Sequence, residues 1–499
     1  MKGFSYDLKH LKGDIMGGVT TAVVALPLAL ALGVASGAGA KAGLYSAVFT
    51  GILSTVFGGT PAQINGPTAA MTVVLIEVYD KLGVQGLFPA MVLAGLLQIL
   101  MGALRLGKYI HLIPHPVIVG FTNGIGALIF LKMIPYFQTG PLVALITIAV
   151  MFLTPFVTKK IPASLLALLI GTAGGLFLFP GGAAVGAIPT GFPQFVIPTF
   201  DLADSYIIIK TAVMLALLGC IESLLASVIV DEMTKTKHHS DRELVGQGIG
   251  NTVSALFGSL IGTGAIVRSA VNVNAGGRTR LSGVLHGVLI FLIIMWLGPY
   301  ASQIPLAVLG GILMVTALKM IEYNTSRELA AASNRTGLII LVTMLFTIFT
   351  DLVIAVLVGT LLAMFIFVVR MGNVYLREYP VDSRELTKKV SSFTIEGPLF
   401  FGVSNAISSQ LELAAENADI IVLNLMNIPT LDSTGAVALR AVRQQMEDEG
   451  KILYFAGIKE SLEPLLCGLN AVPEDQLELG RRPILEVLEA VKEQHRKSA

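Results

Sequence analysis

The chain is 499 residues long, 54% hydrophobic and only 13% charged, with a mean hydropathy of +0.77. Water-soluble domains carry about 25% charged residues, so most of this chain belongs in lipid. The net charge of +1 argues against a nucleic-acid binder, which would show a clustered excess of Lys and Arg.

Lys2, Lys9 and Lys12 precede a long apolar run with no small-residue cleavage site, which reads as an uncleaved first transmembrane helix. Apolar runs long enough to cross a bilayer, roughly 18–25 residues, are expected near 14–33, 42–59, 86–103, 111–133, 141–158, 162–180, 205–230, 241–261, 281–300, 304–321, 334–350 and 352–371. Two shorter segments, 67–79 and 266–276, are read as broken spans, for fourteen crossings in all. The 52 glycines suit closely packed helices of this kind. Cys220 and Cys467 give no disulfide framework.

The positive-inside rule supports this count. With the N-terminus cytoplasmic, Arg105, Lys108, Lys159, Lys160, Lys235, Lys237, Arg242, Arg278, Arg280, Arg327 and Arg335 fall on inner connections. The outer ones hold little beyond Lys41 and Lys81, with Lys132 and Lys210 near outer helix ends. The loop 181–204, without Lys or Arg, falls outside, and an even number of crossings returns the chain to the cytoplasm at Arg370. A multi-pass protein of the cell (inner) membrane follows, with both termini cytoplasmic.

After residue 371 the pattern becomes soluble α/β. Ser391 to Ile395, Asp419 to Leu425 and Ile452 to Phe455 read as strands; Asn405 to Ala415, Gly435 to Glu449 and Ile484 to Gln494 read as helices. The expected organisation is a transmembrane domain over 1–371, a linker over 372–387 and a small cytoplasmic α/β domain over 388–499.

The two broken segments carry the chemistry. Gly66 and Pro67 interrupt one, and Pro67 suits a first helical turn, where its missing N–H costs nothing. Gly262 and Gly264 precede a helix start in the other. Each lies third in a seven-span half, and matching breaks in two halves point to a transporter's midplane site. An odd number of spans per half inverts the second half, so the two helix N-termini can face each other and favour an anion. Arg268 adds a full charge and a planar fork of donors suited to carboxylate, sulfate or bicarbonate. Charges at this depth usually mark a substrate path; the alternative is a kinked helix with Arg268 snorkelling to an interface.

Glu222 stands mid-span beside Gly219, Ser223, Ala226 and Ser227 on one helical face. Low dielectric disfavours the charged form of a carboxylate, which suits such a group to carry a coupling proton. The alternative role is structural, as an ion pair with Arg268 that holds helices together or as a carboxyl bonded to backbone. In the tail, Asp432, Ser433 and Thr434 can cap a helix at Gly435, and the hydroxyls of Ser433 and Thr434 are candidate sites for phosphate or a cytoplasmic partner. His111, His115 and His286 are scattered, so no metal site and no cofactor is expected. The absence of a G-x-x-x-x-G-K-[ST] loop argues against ATP hydrolysis, and no nucleophile–base pair marks an enzyme.

These residues carry a resemblance. Ala42-Gly-Leu-Tyr-Ser-Ala47, Phe57-Gly-Gly-Thr60, Gly66-Pro-Thr68, Arg242-Glu-Leu-Val-Gly-Gln-Gly-Ile-Gly-Asn251, Arg268-Ser-Ala-Val-Asn272, Gly276-Gly-Arg-Thr279 and Leu431-Asp-Ser-Thr-Gly435 occur in this order. Over nearly its whole length the chain resembles the SulP anion transporters, bacterial relatives of the mammalian sulfate transporters, pendrin and prestin, with a C-terminal STAS domain. The resemblance implies an all-α membrane domain of fourteen segments in a 7+7 inverted repeat. A core of spans 1–4 and 8–11 would move against a gate of spans 5–7 and 12–14, in a homodimer. It also implies a pocket in which Thr68 and Ala69 supply one helix N-terminus and Val267, Arg268 and Ser269 the other, with Pro27 closing it. Glu222 matches the acidic position on the eighth helix that binds the coupling cation in some relatives.

Two departures set the expected substrate. Some sodium-coupled bicarbonate transporters of the family carry a threonine where Ala226 stands, so a proton is expected as the coupling ion. Some relatives have glutamine at Leu28 and serine at Val267; the less polar pocket here favours a small organic dicarboxylate such as fumarate, with bicarbonate next. The expectation is a proton-coupled symporter. The alternatives are a bicarbonate, sulfate or chloride transporter or exchanger (sodium-coupled or uncoupled), a passive anion channel, and a sensor that signals through its tail.

Overall fold

The computed structural model describes residues 8–158, 161–186, 191–199, 203–350, 352–371, 375–381, 388–400, 410–411 and 418–495. Lys2, Lys159, Lys160 and nearly all of the helix expected over 405–415 lie outside the described residues. The chain divides into two compact units, 1–361 and 362–499.

In lipid every backbone polar group must be satisfied within its own segment, and the apolar runs accordingly form helices. Leu11–Ala35 (α1) and Ala40–Phe57 (α2) lead to the two-residue strand Asn65–Gly66 (β1). Ala69–Ala103 (α3) is helical on both sides of Gly83, whose φ of 63° and ψ of −160° break the run into the third and fourth spans. A positive φ of this kind is open to glycine at little cost. His115–Lys132 (α4), the short Ile134–Gln138 (α5), Pro141–Val157 (α6) and Ala163–Leu178 (α7) complete the first half.

The second half repeats the plan. Ser205–Thr234 (α8) and Ser240–Leu256 (α9) lead to Thr263–Gly264 (β2), then Ile266–Asn274 (α10), Arg280–Ala301 (α11), Leu306–Met320 (α12), Tyr323–Ala332 (α13), Asn334–Phe349 (α14) and Leu352–Met371 (α15). Among the described residues seven helices are long and apolar enough to cross a membrane by length and composition, with four shorter apolar ones besides. The nine residues of α10 rise only about 13 Å at 1.5 Å per residue, so α10 cannot cross alone.

Packing sorts these helices into two groups. In the first, α3 lies on α8 and α9, α2 on α9 and α11, and α1 on α2, α10 and α11. In the second, α4 lies on α12 and α14, while α6 and α7 pack on each other and on α12.

The second unit is built on a four-stranded sheet of order β3-β4-β5-β6, from Tyr375–Tyr379 (β3), Val390–Glu396 (β4), Ile420–Asn424 (β5) and Ile452–Ala456 (β6). The pair β3–β4 is antiparallel, and β4–β5 and β5–β6 are parallel. Its helices are Ser433–Asp448 (α16), Glu463–Gly468 (α17), Glu474–Gly480 (α18) and Ile484–Gln494 (α19). Apolar clusters on the two sides of the sheet include Phe393, Leu423 and Leu439 on one side and Val390, Val422 and Val487 on the other. β3 corrects the sequence reading: it lies in the stretch expected to be linker. Its Arg377 and Glu378 sit on an exposed edge strand, where charge is the usual protection against unwanted pairing, and that charge hides the strand's apolar signal.

Candidate functional site

The two broken segments meet. β1 pairs antiparallel with β2, Asn65 opposite Gly264 and Gly66 opposite Thr263, and the Ala265 N–H donates to the Ile64 carbonyl at 2.9 Å. The backbones approach so closely that a Cβ on Gly262 would lie 2.4 Å from the Gly66 carbonyl carbon and oxygen. From this crossing α3 and α10 start.

Neither start is capped by a side chain. An N-cap threonine normally accepts from an N–H of the first turn. The hydroxyl of Thr68, the N-cap of α3, instead donates to Glu222 Oε2 at 2.8 Å, and the N-cap of α10 is Ala265, which has no hydroxyl. The first intrahelical bonds are Thr72 N–H to Thr68 O and Ser269 N–H to Ala265 O. The N–H groups of residues 69–71 and 266–268 therefore have no acceptor within their helices, and two positive dipole ends lie at one place.

Arg268 is 3% exposed. Its Nη2 donates to the Pro67 carbonyl at 2.8 Å, and a Cβ on Gly66 would lie 2.6 Å from Nη1, so the guanidinium lies against the first broken segment. Nη1 has no hydrogen-bond partner among the described residues. Burying an unpaired charge is expensive, and a bound anion would offset that cost.

Glu222 Oε2 accepts two hydroxyls, from Thr68 and from Thr263, each at 2.8 Å, which brings the two hydroxyl oxygens to 3.2 Å from each other. No ion pair joins Glu222 to Arg268 among the described residues, so the carboxylate is held by neutral donors. Ser223 Oγ accepts from Gly264 N–H at 3.1 Å, tying α8 to β2. Ala226 is buried, and a Cβ on Gly264 would lie 3.1 Å from the Ala226 Cβ; it brings packing there and no oxygen.

Of the residues singled out from the sequence, Thr68, Glu222 and Arg268 are brought together. Ala69 is partly exposed and Val267 is 70% exposed, both at helix starts. Ser269 departs from the role expected for it: its N–H is already used within α10, and its Oγ accepts from Ile64 N–H at 3.0 Å, so it braces the opposite segment. Pro27 is buried within α1, which packs on α10. Thr263 was missed; its signal is a lone hydroxyl between two glycines, in register with Gly66. In the second unit Asp432 Oδ1 caps α16, accepting from Gly435 N–H at 2.7 Å, which leaves Ser433 and Thr434 exposed in the first turn.

Known proteins share this sequence and fold. The family model described as "Sulfate permease family" matches residues 11–141 and 138–344, and that for the STAS domain matches 384–474. YvdB of Bacillus subtilis is 34% identical over 498 residues, covering 92% of this chain and 94% of its own. The bicarbonate transporter BicA of Picosynechococcus sp. is 34% identical over 537 residues, covering 96% of this chain and 94% of its own. The solved structure of SLC26A9 matches with a TM-score of 0.84 at 17% identity, over 98% of this chain and 91% of that one; at that identity the likeness speaks for the fold.

Proposed function

The chain belongs to the sulfate permease family of anion transporters, and from that premise we propose that it is a proton-coupled symporter of a small organic dicarboxylate such as fumarate. The observation that carries the reading is the bond from Thr68 to Glu222, which joins one anion-attracting helix start to the proton candidate. The anion sits between the starts of α3 and α10, its charge met by first-turn N–H groups and by Arg268. Glu222 takes the proton.

Sodium prefers several hard oxygen ligands, and Ala226 supplies none, which favours the proton. Leu28 and Val267 stand where some relatives of the family carry glutamine and serine, so the proposed site is less polar, which favours a substrate with carbon between its charges. The group containing α1–α3 and α8–α11 moves as a core against a gate containing α4, α6, α7, α12 and α14, in a homodimer in the cell membrane with both termini cytoplasmic. Ser433 and Thr434 serve as a regulatory contact.

Bicarbonate is the second reading, favoured by the likeness to BicA over nearly the whole chain. An uptake screen in proteoliposomes across labelled fumarate, succinate, bicarbonate, sulfate and chloride separates the two. Saturable fumarate or succinate uptake supports the first reading; saturable bicarbonate uptake with neither dicarboxylate transported selects the second.

A further inference from the structure

α9 carries a polar stripe that touches both broken segments. Glu243, Gln247 and Asn251 recur every four residues, so they share one helical face, and all three are buried.

The first of them holds the chain that leads into β1. Glu243 Oε2 accepts from the N–H groups of Gly59 and Thr60, at 2.8 and 2.9 Å, and its Oε1 accepts from Gln63 Nε2 at 2.8 Å. Gln63 also donates to Asn65 Oδ1 at 3.1 Å and accepts from Ser227 Oγ at 2.8 Å. Its amide packs across β2, since a Cβ on Gly264 would lie 2.2 Å from Nε2. The other two hold the chain that leads into β2: Asn251 Oδ1 accepts from Gly262 N–H at 2.8 Å, and Gln247 Nε2 donates to Gly262 O at 2.7 Å.

We propose that this stripe sets the spacing of the two helix starts, and that Glu243 is the positioning residue for the Thr68 side. The inference rests on reading the crossing as the anion site. A carboxylate is suited to the first position because it only accepts and has room for several N–H donors. At Gly262 the stripe must both accept and donate, and two amides do that. A loop held by three hydrogen bonds to one side chain keeps Thr68 and its first-turn N–H groups in place, and a small misplacement at a binding site has a large effect.

The test uses the full-length protein in proteoliposomes and whichever of fumarate, succinate, bicarbonate or sulfate the wild type takes up saturably. Glu243→Gln turns a second amide N–H₂ toward Gln63, and KM should rise about tenfold, the scale of a lost charge-assisted hydrogen bond, with kcat changed less than about twofold. The exchange Glu243→Gln with Gln63→Glu restores a donor–acceptor pair and should bring KM back toward the wild-type value. The inference is overturned if Glu243→Gln keeps the wild-type KM, or if it lowers thermal stability and uptake together and the exchange rescues neither. Arg268→Ala separates the two levels. If it retains wild-type KM, the anion-site reading has failed; if it loses saturable uptake while Glu243→Gln behaves as wild type, only the role given to Glu243 has failed.

Discussion

The hydroxyl of Thr68 donates to Glu222 at 2.8 Å, and so the start of α3 is tied by one hydrogen bond to the carboxylate of α8. This bond explains why Thr68 does not cap its own helix. On the proposed reading it would also couple the anion to the proton: protonating Glu222 would weaken its hold on the hydroxyl, freeing it to turn toward the first turn of α3 or toward a bound anion.

Thr68→Val keeps the shape of the side chain and removes the donor. Hydrogen bonds to charged groups contribute about 1.5–3 kcal/mol, so KM for the transported anion should rise about tenfold or more. Thr68→Ser should stay close to wild type. A concentration series of initial uptake rates reads both, and equal KM for Val and Thr would remove Thr68 from the site.

Arg268→Lys retains a charge but loses the planar fork that lies against Gly66 and bonds the Pro67 carbonyl. Saturable uptake should weaken by about tenfold or more, the scale of a lost charge-assisted bond. Thermal-shift titration with the anion should show the same loss. A lysine variant with the wild-type anion-induced shift would contradict the fit of the guanidinium.

Gly262→Ala places a methyl group 2.4 Å from the Gly66 backbone, where nothing flexible can give way. Overpacking costs about 1–3 kcal/mol, so Tm should fall by several degrees and uptake should be lost. Gly174→Ala, which meets nothing within 4 Å, is the control and should leave both unchanged.

Asp432→Ala removes the cap of α16 and should cost about 1 kcal/mol locally. Native-state hydrogen exchange at Gly435 should speed by about fivefold in the full-length chain, the equivalent of that energy. Asp432→Asn should not change it, and unaltered exchange in the alanine variant would rule out a capping role.

Much of this was legible because lipid restricts the choices. Spans of fixed length, an uneven spread of Arg and Lys over the connections, and two breaks in matching positions lead to the helical plan and to Arg268 directly. Less visible were features that depend on pairing across sequence distance. Thr263 has meaning only once β2 lies beside β1. Ser269 turns inward because Ile64 needs an acceptor. Glu243 sits in a polar first turn that resembles any capped helix start until Gly59 and Thr60 fold onto it. β3 escaped notice because an exposed edge strand needs little apolar surface.

The most direct test of the account is anion uptake into proteoliposomes with and without an inward proton gradient, for the wild type and for Glu222→Gln. The gradient should drive accumulation by the wild type, while Glu222→Gln, whose neutral side chain cannot release a proton, should be insensitive to it. Wild-type uptake unchanged by the gradient, or a Glu222→Gln variant that still responds to it, would contradict the assignment of Glu222 as the proton carrier.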